Sequence, residues 1–304
     1  MKITVFGGGS LGLAYASLLQ KVSPNVMLFV RRSDQEKAIN EQGVTLHTSK
    51  GKNSSNILAT TNTSDLSDTD AVIMLVKNYD SQNAAEIISA HTKNTCLVLT
   101  TESGISVEKI YDDICKPRII VRAVSYFGAK KLTDTETQLA DNMNITVQRP
   151  EADNKIATEL IDLMQKAGFI VDLSDNIQEI VWRKMIVVIA QQAASALTGL
   201  TFGQLLASDD ALQLAEELLN EFRKIAEKEK IHLPENLMGV VRNNWKSLPN
   251  HRSSMYQDLA SGRKTEIEMM NGAIVRLGEK YNIPTPYNDA ITRLIRLRQQ
   301  NKNS

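Results

Sequence analysis

The stretch that decides the fold is Met1-Lys2-Ile3-Thr4-Val5-Phe6-Gly7-Gly8-Gly9-Ser10-Leu11-Gly12, at the start of the chain. Gly7, Gly9 and Gly12 stand at G-x-G-x-x-G spacing, after a short apolar run and before a helix-like run. Gly7 permits a tight turn, Gly9 leaves room for a pyrophosphate, and Gly12 lets the helix pack close to the strand. This arrangement of strand, turn and helix predicts a dinucleotide site.

The pyrophosphate would lie on the N–H groups at the start of the following helix, which Ser10 and Leu11 open. A single G-x-G-x-x-G motif is weak, and a glycine-rich loop without a ligand is the alternative interpretation. A strand before the motif and a helix after it are the context that the motif requires. We therefore favour the dinucleotide site.

The second apolar run, residues 26–30, ends in Arg31 and Arg32. In a dinucleotide-binding fold the end of this strand meets the adenine ribose. An acidic residue there selects NAD, whereas arginine suits the additional 2′-phosphate of NADP. Asp34 is the first acid to follow, so we expect NADP(H) rather than NAD(H); a solvated basic turn is the alternative interpretation.

Two continuous apolar runs, residues 70–76 and 96–100, are typical of strands that are buried on both faces. Lys77 follows the first run and Ser103 follows the second, at the strand ends where ligands bind in open parallel sheets. For Lys77 a solvated lysine is an equally good interpretation. Strands alternate with helices up to about residue 176, which predicts an α/β fold with a Rossmann-type doubly wound sheet.

From about Asn176 strand-like runs are replaced by long helical patterns. We therefore expect an NADP-binding domain over residues 1–176 and an all-α domain over residues 177–304. Lys184 lies within the first long helix, on the same face as Gln192. We expect another helix from Lys264 to about Tyr281, and Ser254 with Gln257 fits a capping box at a helix start.

Composition limits the class of protein. The chain has 304 residues, enough for two domains, and its 35 basic and 35 acidic residues balance. No bulk charge therefore attracts nucleic acid or an anionic membrane, and no apolar run reaches the length that crosses a bilayer. Cys96 and Cys115 have no metal-ligand spacing around them, so we expect buried free thiols, no bound metal and a cytoplasmic protein. The sequence leaves the oligomeric state open, a homodimer included.

Taken in order, these motifs resemble the ketopantoate reductase (2-dehydropantoate 2-reductase) family from end to end. Beyond the glycine turn, the matching features extend along the chain to a proline-rich turn near the C-terminus. They are Val76-Lys77, Trp182-Arg183-Lys184-Met185, Ser253-Ser254-Met255-x-Gln257-Asp258, Thr265-Glu266-Ile267, Asn271-Gly272 and Ile283-Pro284-Thr285-Pro286.

The resemblance implies that NADPH delivers a hydride to the ketone carbon of a small 2-oxo acid, within pantothenate biosynthesis. It implies that Lys184 is the general acid and that Glu266 is the carboxylate that binds the substrate hydroxyl and holds the lysine. It further implies that Ser254 contacts the substrate carboxylate and that Lys77 lines the site of the cofactor and substrate. By the same resemblance, Gln192 and Ser103 occupy further substrate-binding positions, and residues 177–304 are the helical substrate and catalytic domain.

Several asparagine positions of the family carry other residues here: Ser103, Val188, Gln192, Phe202 and His251. Loss of amide hydrogen bonds changes which polar substrate a site accepts. Three interpretations stay open: a 2-oxo-acid reductase with another substrate, a ketopantoate reductase that tolerates these changes, and an NADPH-binding sensor without turnover. The presence of both Lys184 and Glu266 disfavours the sensor.

Overall fold

The computed structural model describes residues 1–140 and 142–301, which form two compact units. The first unit comprises Met1–Glu102 and Ser106–Ile177. The second comprises Ser103–Ile105 and the described chain from Gln178 onward.

The first unit contains twelve strands and five α-helices among its described residues. The strands are β1 (Ile3–Phe6), β2 (Val26–Phe29), β3 (Val44–Thr48), β4 (Gly51–Ser55), β5 (Leu58–Thr60), β6 (Ala71–Met74), β7 (Leu97–Thr100), β8 (Ile119–Ser125), β9 (Ala129–Lys131), β10 (Glu136–Leu139), β11 (Asn144–Gln148) and β12 (Ile170–Ser174). The helices are α1 (Ser10–Gln20), α2 (Ser33–Gln42), α3 (Ser81–His91), α4 (Val107–Ile114) and α5 (Lys155–Lys166).

Eight of these strands form one sheet in the order β12-β11-β8-β7-β6-β1-β2-β5. β1 lies between β2 and β6 and is parallel to both, with Phe6 opposite Phe29 on one side and Met74 on the other. Chain order runs outward from β1 in both directions, which is the doubly wound arrangement. The predicted α/β, Rossmann-type fold of the N-terminal part is therefore confirmed. The remaining strands form a second sheet, β4-β3-β10-β9.

The central strands are buried because their sequences are apolar without alternation. Every residue of β1, β6 and β7 is buried, which matches the continuous apolar runs. Cys96 and Cys115 are free and buried, as expected, and burial raises the pKa of both thiols to about 11.

The second unit is helical throughout its regular elements, which confirms the predicted all-α C-terminal part. Its helices are α6 (Ile177–Thr198), α7 (Phe202–Leu206), α8 (Asp209–Lys228), α9 (Leu237–Ser247), α10 (Ser254–Ala260), α11 (Asn271–Tyr281) and α12 (Pro286–Gln300). A 3₁₀ turn, Ile267–Met269, precedes α11. The predicted helix start at Lys264 was wrong: the chain leaves helical geometry at Met270 (φ −110°, ψ −109°), and α11 begins only after it.

Helix α6 corrects the expectation that no apolar run is long enough to cross a membrane. In the part of the chain that the structure describes, this one helix reaches that standard by length and composition, with a mean hydropathy of 1.2 over 18 residues. Since 67% of that window is buried inside the protein, its apolar residues serve a protein core, the other setting in which such helices occur.

A buried carboxylate holds the start of α12 against α8. Glu221, on α8, accepts hydrogen bonds from the backbone N–H groups of Tyr287 (2.8 Å) and Asn288 (2.9 Å). The Asn288 amide also donates to Glu221, at 2.7 Å, and to the carbonyl oxygen of Leu218. First-turn N–H groups have no partner within their own helix, so this carboxylate serves as the N-terminal cap of α12.

We predict that Glu221→Ala lowers the free energy of unfolding of the second unit by about 2–4 kcal/mol, because it leaves several buried donors without an acceptor. Both tryptophans, Trp182 and Trp245, lie in this unit, so urea unfolding followed by tryptophan fluorescence measures the effect. Glu227→Ala, at an exposed position of the same helix, is the matched control and should change stability by less than about 0.5 kcal/mol. Equal effects of the two substitutions would contradict the capping role.

Candidate functional site

The turn after β1 has the tight geometry that its glycines predict. Gly7 has φ +122°, and its N–H donates to the carbonyl oxygen of Phe29 at 2.9 Å. A Cβ atom at Gly7 would lie 2.8 Å from the carbonyl oxygen of Leu75, which follows β6. Any side chain here would therefore be strained and would also collide with backbone.

Gly12 and Gly9 lack side chains for different reasons. A Cβ atom at Gly12 would lie only 1.7 Å from the carbonyl oxygen of Gly7, whereas one at Gly9 would have nothing within 4 Å. Gly9 is the N-cap of α1 and provides no side-chain cap for the N–H groups of the first turn, which Ser10 and Leu11 begin. Open space beside uncapped N–H groups is what a pyrophosphate requires, so this turn fits a dinucleotide.

Arg31 and Arg32 follow β2, and both lie among acidic side chains. Arg31 is largely exposed and pairs with Asp80 at 3.5 Å. Arg32 is half-exposed, pairs with Asp34 at 3.1 Å and donates to the carboxylate of Asp134. The sequence predicted a basic pair, whereas the structure places both arginines in ion pairs.

Asp134 reaches Arg32 from the short turn between β9 and β10. Lys131 donates to the same carboxylate at 2.7 Å and to the carbonyl oxygen of Gly8 at 3.3 Å. The Gln35 amide donates to the Gly8 carbonyl at 2.8 Å and to the backbone carbonyl of Asp134 at 3.0 Å. These hydrogen bonds hold the β9–β10 turn against the glycine turn. No local sequence pattern predicts this contact, because Arg32 and Asp134 are 102 residues apart.

Lys77 lies where the sequence placed it, beyond the end of β6. It is half-buried and precedes a 3₁₀ turn, Asn78–Asp80, whose last residue pairs with Arg31. The segments that leave β2 and β6 therefore meet beside the glycine turn. Lys77 stays a predicted cofactor contact.

A buried polar network surrounds the end of β7 and was not predicted. The Glu102 carboxylate accepts from the hydroxyls of Ser81 and Tyr111, each at 2.6 Å, and the Arg122 guanidinium donates to the Glu102 carbonyl oxygen at 2.5 Å. Burial, aided by the Glu102 charge, raises the pKa of Tyr111 well above its usual value, and burial lowers the pKa of Arg122. The network fixes the backbone of Glu102.

In the second unit, Lys184 and Ser103 lie together although 81 residues separate them. Lys184 is half-buried on α6, and its Nζ donates to Ser103 Oγ at 3.2 Å. The neighbours of Lys184 on α6, such as Trp182 and Met185, are almost completely buried. The Lys184 ammonium therefore lies at the edge of an apolar core.

Glu266 lies in the same region of the second unit, directly before the 3₁₀ turn, and is half-buried. The N–H of Ile105 donates to the carbonyl oxygen of Met269, in that turn, at 3.0 Å. The short segment Ser103–Ile105 therefore contacts Lys184 at one end and the turn after Glu266 at the other. This arrangement is compatible with the predicted roles of Lys184 and Glu266, which stay predictions.

Gln192 and Ser254 also lie together. The Gln192 amide oxygen accepts from Ser254 Oγ at 3.3 Å and from the N–H of Met255 at 3.1 Å. The predicted cap at Ser254 was wrong: Ser253 is the N-cap of α10, and its Oγ accepts from the N–H of Tyr256. Because Ser253 takes the capping role, Ser254 is exposed at the first position of the helix.

The other altered asparagine positions do not all belong to an open site. Val188 is almost fully buried on α6, and Phe202 is 2% exposed and lies against the ring of His251, with 5.5 Å between ring centroids. Phe202 is therefore a core residue, while His251 is exposed. The substitutions at these positions change packing as well as polarity.

Comparison with known proteins agrees with this geometry. A family model described as ketopantoate reductase PanE/ApbA matches residues 3–152, and its C-terminal counterpart matches residues 176–299. The chain belongs to the ketopantoate reductase family.

Members of this family and related structures cover almost the whole chain. The 2-dehydropantoate 2-reductase of Streptococcus pyogenes serotype M18 is 26% identical over 306 aligned residues, which cover 98% of each chain. The crystal structure of a PanE/ApbA family ketopantoate reductase from Ralstonia eutropha JMP134 has a TM-score of 0.94, 26% identity and full coverage of both chains. A D-mandelate dehydrogenase, solved with NADH and anilino(oxo)acetate, has a TM-score of 0.91 at 25% identity, again with full coverage.

For this ketopantoate reductase family member we predict that Gly9→Ala lowers dinucleotide affinity by about tenfold or more, because the methyl group enters the space proposed for the pyrophosphate. Its backbone (φ −79°, ψ −175°) accepts alanine, so stability should fall by less than about 1 kcal/mol. Calorimetric titration and thermal melting measure the two quantities. Gly12→Ala is the contrasting variant and should disrupt the fold itself; a Gly9→Ala protein with unchanged affinity would contradict the cofactor role.

Proposed function

We propose that this protein reduces a 2-oxo acid to the corresponding 2-hydroxy acid, with NADPH as hydride donor. In this proposal residues 1–176 bind the cofactor and residues 177–304 bind the substrate. The observation that supports it most directly is the hydrogen bond from Lys184 to Ser103, which positions an ammonium at the edge of a buried helix. The protein would act on a small molecule in the cytoplasm, without nucleic acid or membrane, and a homodimer is compatible with it.

The cofactor, when bound, supplies the hydride. The chain's own residues then have distinct tasks: the glycine turn with Ser10 and Leu11 holds the pyrophosphate, and Arg31, Arg32 and Lys77 contact the adenosine and phosphate groups. Metal ions have no part in the proposal.

Lys184 would act as the general acid. As the ketone carbon is reduced, negative charge develops on the carbonyl oxygen, and an adjacent ammonium stabilises that charge and then gives up a proton to it. Ser103 Oγ orients the ammonium, and Glu266 would bind the substrate hydroxyl and help to hold the lysine. Such a carboxylate lowers the cost of holding an ammonium beside an apolar core.

Ser254 and Gln192 would hold the substrate carboxylate. With the Gln192 amide oxygen occupied by donors from α10, its NH₂ group is the part that remains to donate. The Gln192 NH₂ group would thus donate to the anion, whereas Ser254, whose single O–H donates to Gln192, would turn that hydroxyl toward the substrate when it binds.

A second candidate is reduction of a 2-oxo acid with an apolar or aromatic side chain, rather than of 2-dehydropantoate. Val188 replaces an amide side chain of the family pattern by hydrocarbon, which would remove a hydrogen-bond partner for a hydroxylated substrate. The likeness to a D-mandelate dehydrogenase bound to anilino(oxo)acetate, a 2-oxo acid derivative with an aromatic ring, also favours this candidate.

The test is NADPH oxidation, followed by absorbance, with 2-dehydropantoate, phenylglyoxylate and short aliphatic 2-oxo acids. We expect turnover of at least one acid, and the preferred one distinguishes the two candidates. Lys184→Ala should lower kcat for that acid by about 10²–10⁴-fold and leave the Kd of NADPH unchanged, since proton donation is lost. Lys224→Ala, at an exposed position of α8, is the control. Tight NADPH binding without turnover of any acid would instead favour a sensor.

We further predict that replacing both Arg31 and Arg32 by alanine weakens NADPH binding about 30-fold and NADH binding less than about threefold, because the 2′-phosphate alone loses its cationic partners. Calorimetric titration of both cofactors against the variant and the parent protein measures this. Equal weakening of the two cofactors would remove the arginines from the 2′-phosphate site.

A further inference from the structure

We infer that Asp134 sets how strongly the protein prefers NADPH to NADH, because its carboxylate competes with the 2′-phosphate for Arg32 and Lys131. The inference rests on the proposed cofactor site and concerns a residue that the dinucleotide motif itself does not contain. It assigns to the β9–β10 turn a role in cofactor selection.

The position of Asp134 carries the inference. Its carboxylate accepts from Arg32, at the end of β2, and from Lys131 Nζ at 2.7 Å. Lys131 also donates to the carbonyl oxygen of Gly8, and Gln35 ties the backbone of Asp134 to that same carbonyl. The carboxylate therefore lies beside the glycine turn and the end of β2, which is where a dinucleotide fold meets the adenine ribose.

A carboxylate at this place affects the two cofactors unequally. NADH has no 2′-phosphate to repel, and its ribose hydroxyls can donate to a carboxylate or an amide oxygen alike, so its affinity depends little on the charge at residue 134. Toward NADPH it repels the 2′-phosphate and competes for the same N–H donors. One side chain thus raises one affinity relative to the other.

The surrounding charges do not outweigh this effect. The cations Arg31, Arg32 and Lys131 have as partners the anions Asp80, Asp34 and Asp134, so the cluster is neutral as a whole. The hydrogen bond from Lys131, with help from Arg32, lowers the pKa of Asp134, so the carboxylate stays charged at neutral pH. All four ion pairs are partly exposed, so a bound cofactor can reach them.

The decisive experiment is calorimetric titration of NADPH and NADH into the full-length protein and its Asp134→Asn variant. Asparagine preserves the shape of the side chain and removes the charge, so Arg32 and Lys131 become available to a phosphate. We expect the Kd of NADPH to fall about tenfold at low salt and the Kd of NADH to change less than about twofold. The gain for NADPH should shrink as salt is added.

Two further variants separate charge competition from a loosened turn. Asp68→Asn removes the same charge from a pair with Lys2 (2.8 Å), just before β1 and so at the strand end opposite the glycine turn, and should change neither Kd. In an Arg32→Ala background, Asp134→Asn should give a smaller gain for NADPH, because one of the two released cations is missing. Circular dichroism melting confirms that each variant is folded.

The outcomes are distinguishable. If both cofactors bind and their Kd ratio is unchanged by Asp134→Asn, or if both weaken equally, Asp134 has no part in selection and the inference is overturned, while the proposed function stands. If the parent protein binds neither cofactor, the proposed function fails and the inference with it. A shift confined to NADPH supports both.

Discussion

The first unit depends on one close approach, between the carbonyl oxygen of Gly7 and the Cα atom of Gly12. A single added carbon at residue 12 would lie 1.7 Å from that oxygen, well inside any allowed contact. Helix α1 therefore starts directly on the turn that ends β1, and its first N–H groups lie at the end of the strand. Since β1 is flanked by β2 and β6, the same contact brings the segments that follow those strands to one place. The positions of Arg31 and Lys77 follow from this packing.

Backbone packing at the glycine turn explains why the strand ends meet there, but it does not determine which charged side chains they carry. The end of β2 supplies Arg32, and a turn from the second sheet supplies Asp134 and Lys131. The hydrogen bonds of Gln35 and Lys131 to Gly8 link the two sheets through the glycine turn itself. The attraction of Arg32 for a phosphate therefore depends on the β9–β10 hairpin, which is distant in the chain. A neutralised guanidinium attracts a phosphate less than an unpaired one does.

The parts of the fold that depend on local pattern could be predicted from the sequence. The glycine turn, the buried strands β6 and β7, and the end of α5 before Gly168 (φ +99°) each follow from residues within one element. Contacts between distant segments could not be predicted: the pairing of β10 with β3, the Asp134 carboxylate beside Arg32, and the network around Glu102. Such contacts depend on tertiary packing, which leaves no periodicity in the chain.

The error at the start of α10 is one residue in the sequence, but it changes the chemistry of the site. Ser253, rather than the predicted Ser254, caps the helix. The Ser254 hydroxyl is therefore exposed and lies beside Gln192 instead of bonding a backbone N–H group. The charged residues of α6, Lys184 among them, interrupt the apolar pattern of this helix. In the folded unit Lys184 lies at the edge of a buried helix, where an ammonium needs a hydrogen-bond partner in place of lost water.

Ser103 supplies such a partner and shows how far the altered residues change the site. Where the family resemblance places an asparagine, the serine hydroxyl still accepts a hydrogen bond from Lys184 at 3.2 Å. An asparagine would also present an NH₂ group with two donors, whereas a serine has a single O–H that must point away from the lysine ammonium. The acceptor that orients the proposed acid is thus retained, and the donors available to a substrate are changed. Val188 has a similar effect: hydrocarbon replaces an amide on the helix that holds the lysine, so a donor is lost while the acceptor for Lys184 stays. In the proposed function, proton donation and substrate recognition would therefore depend on different groups, because the first relies on the acceptor beside Lys184 and the second on the donors that these substitutions alter.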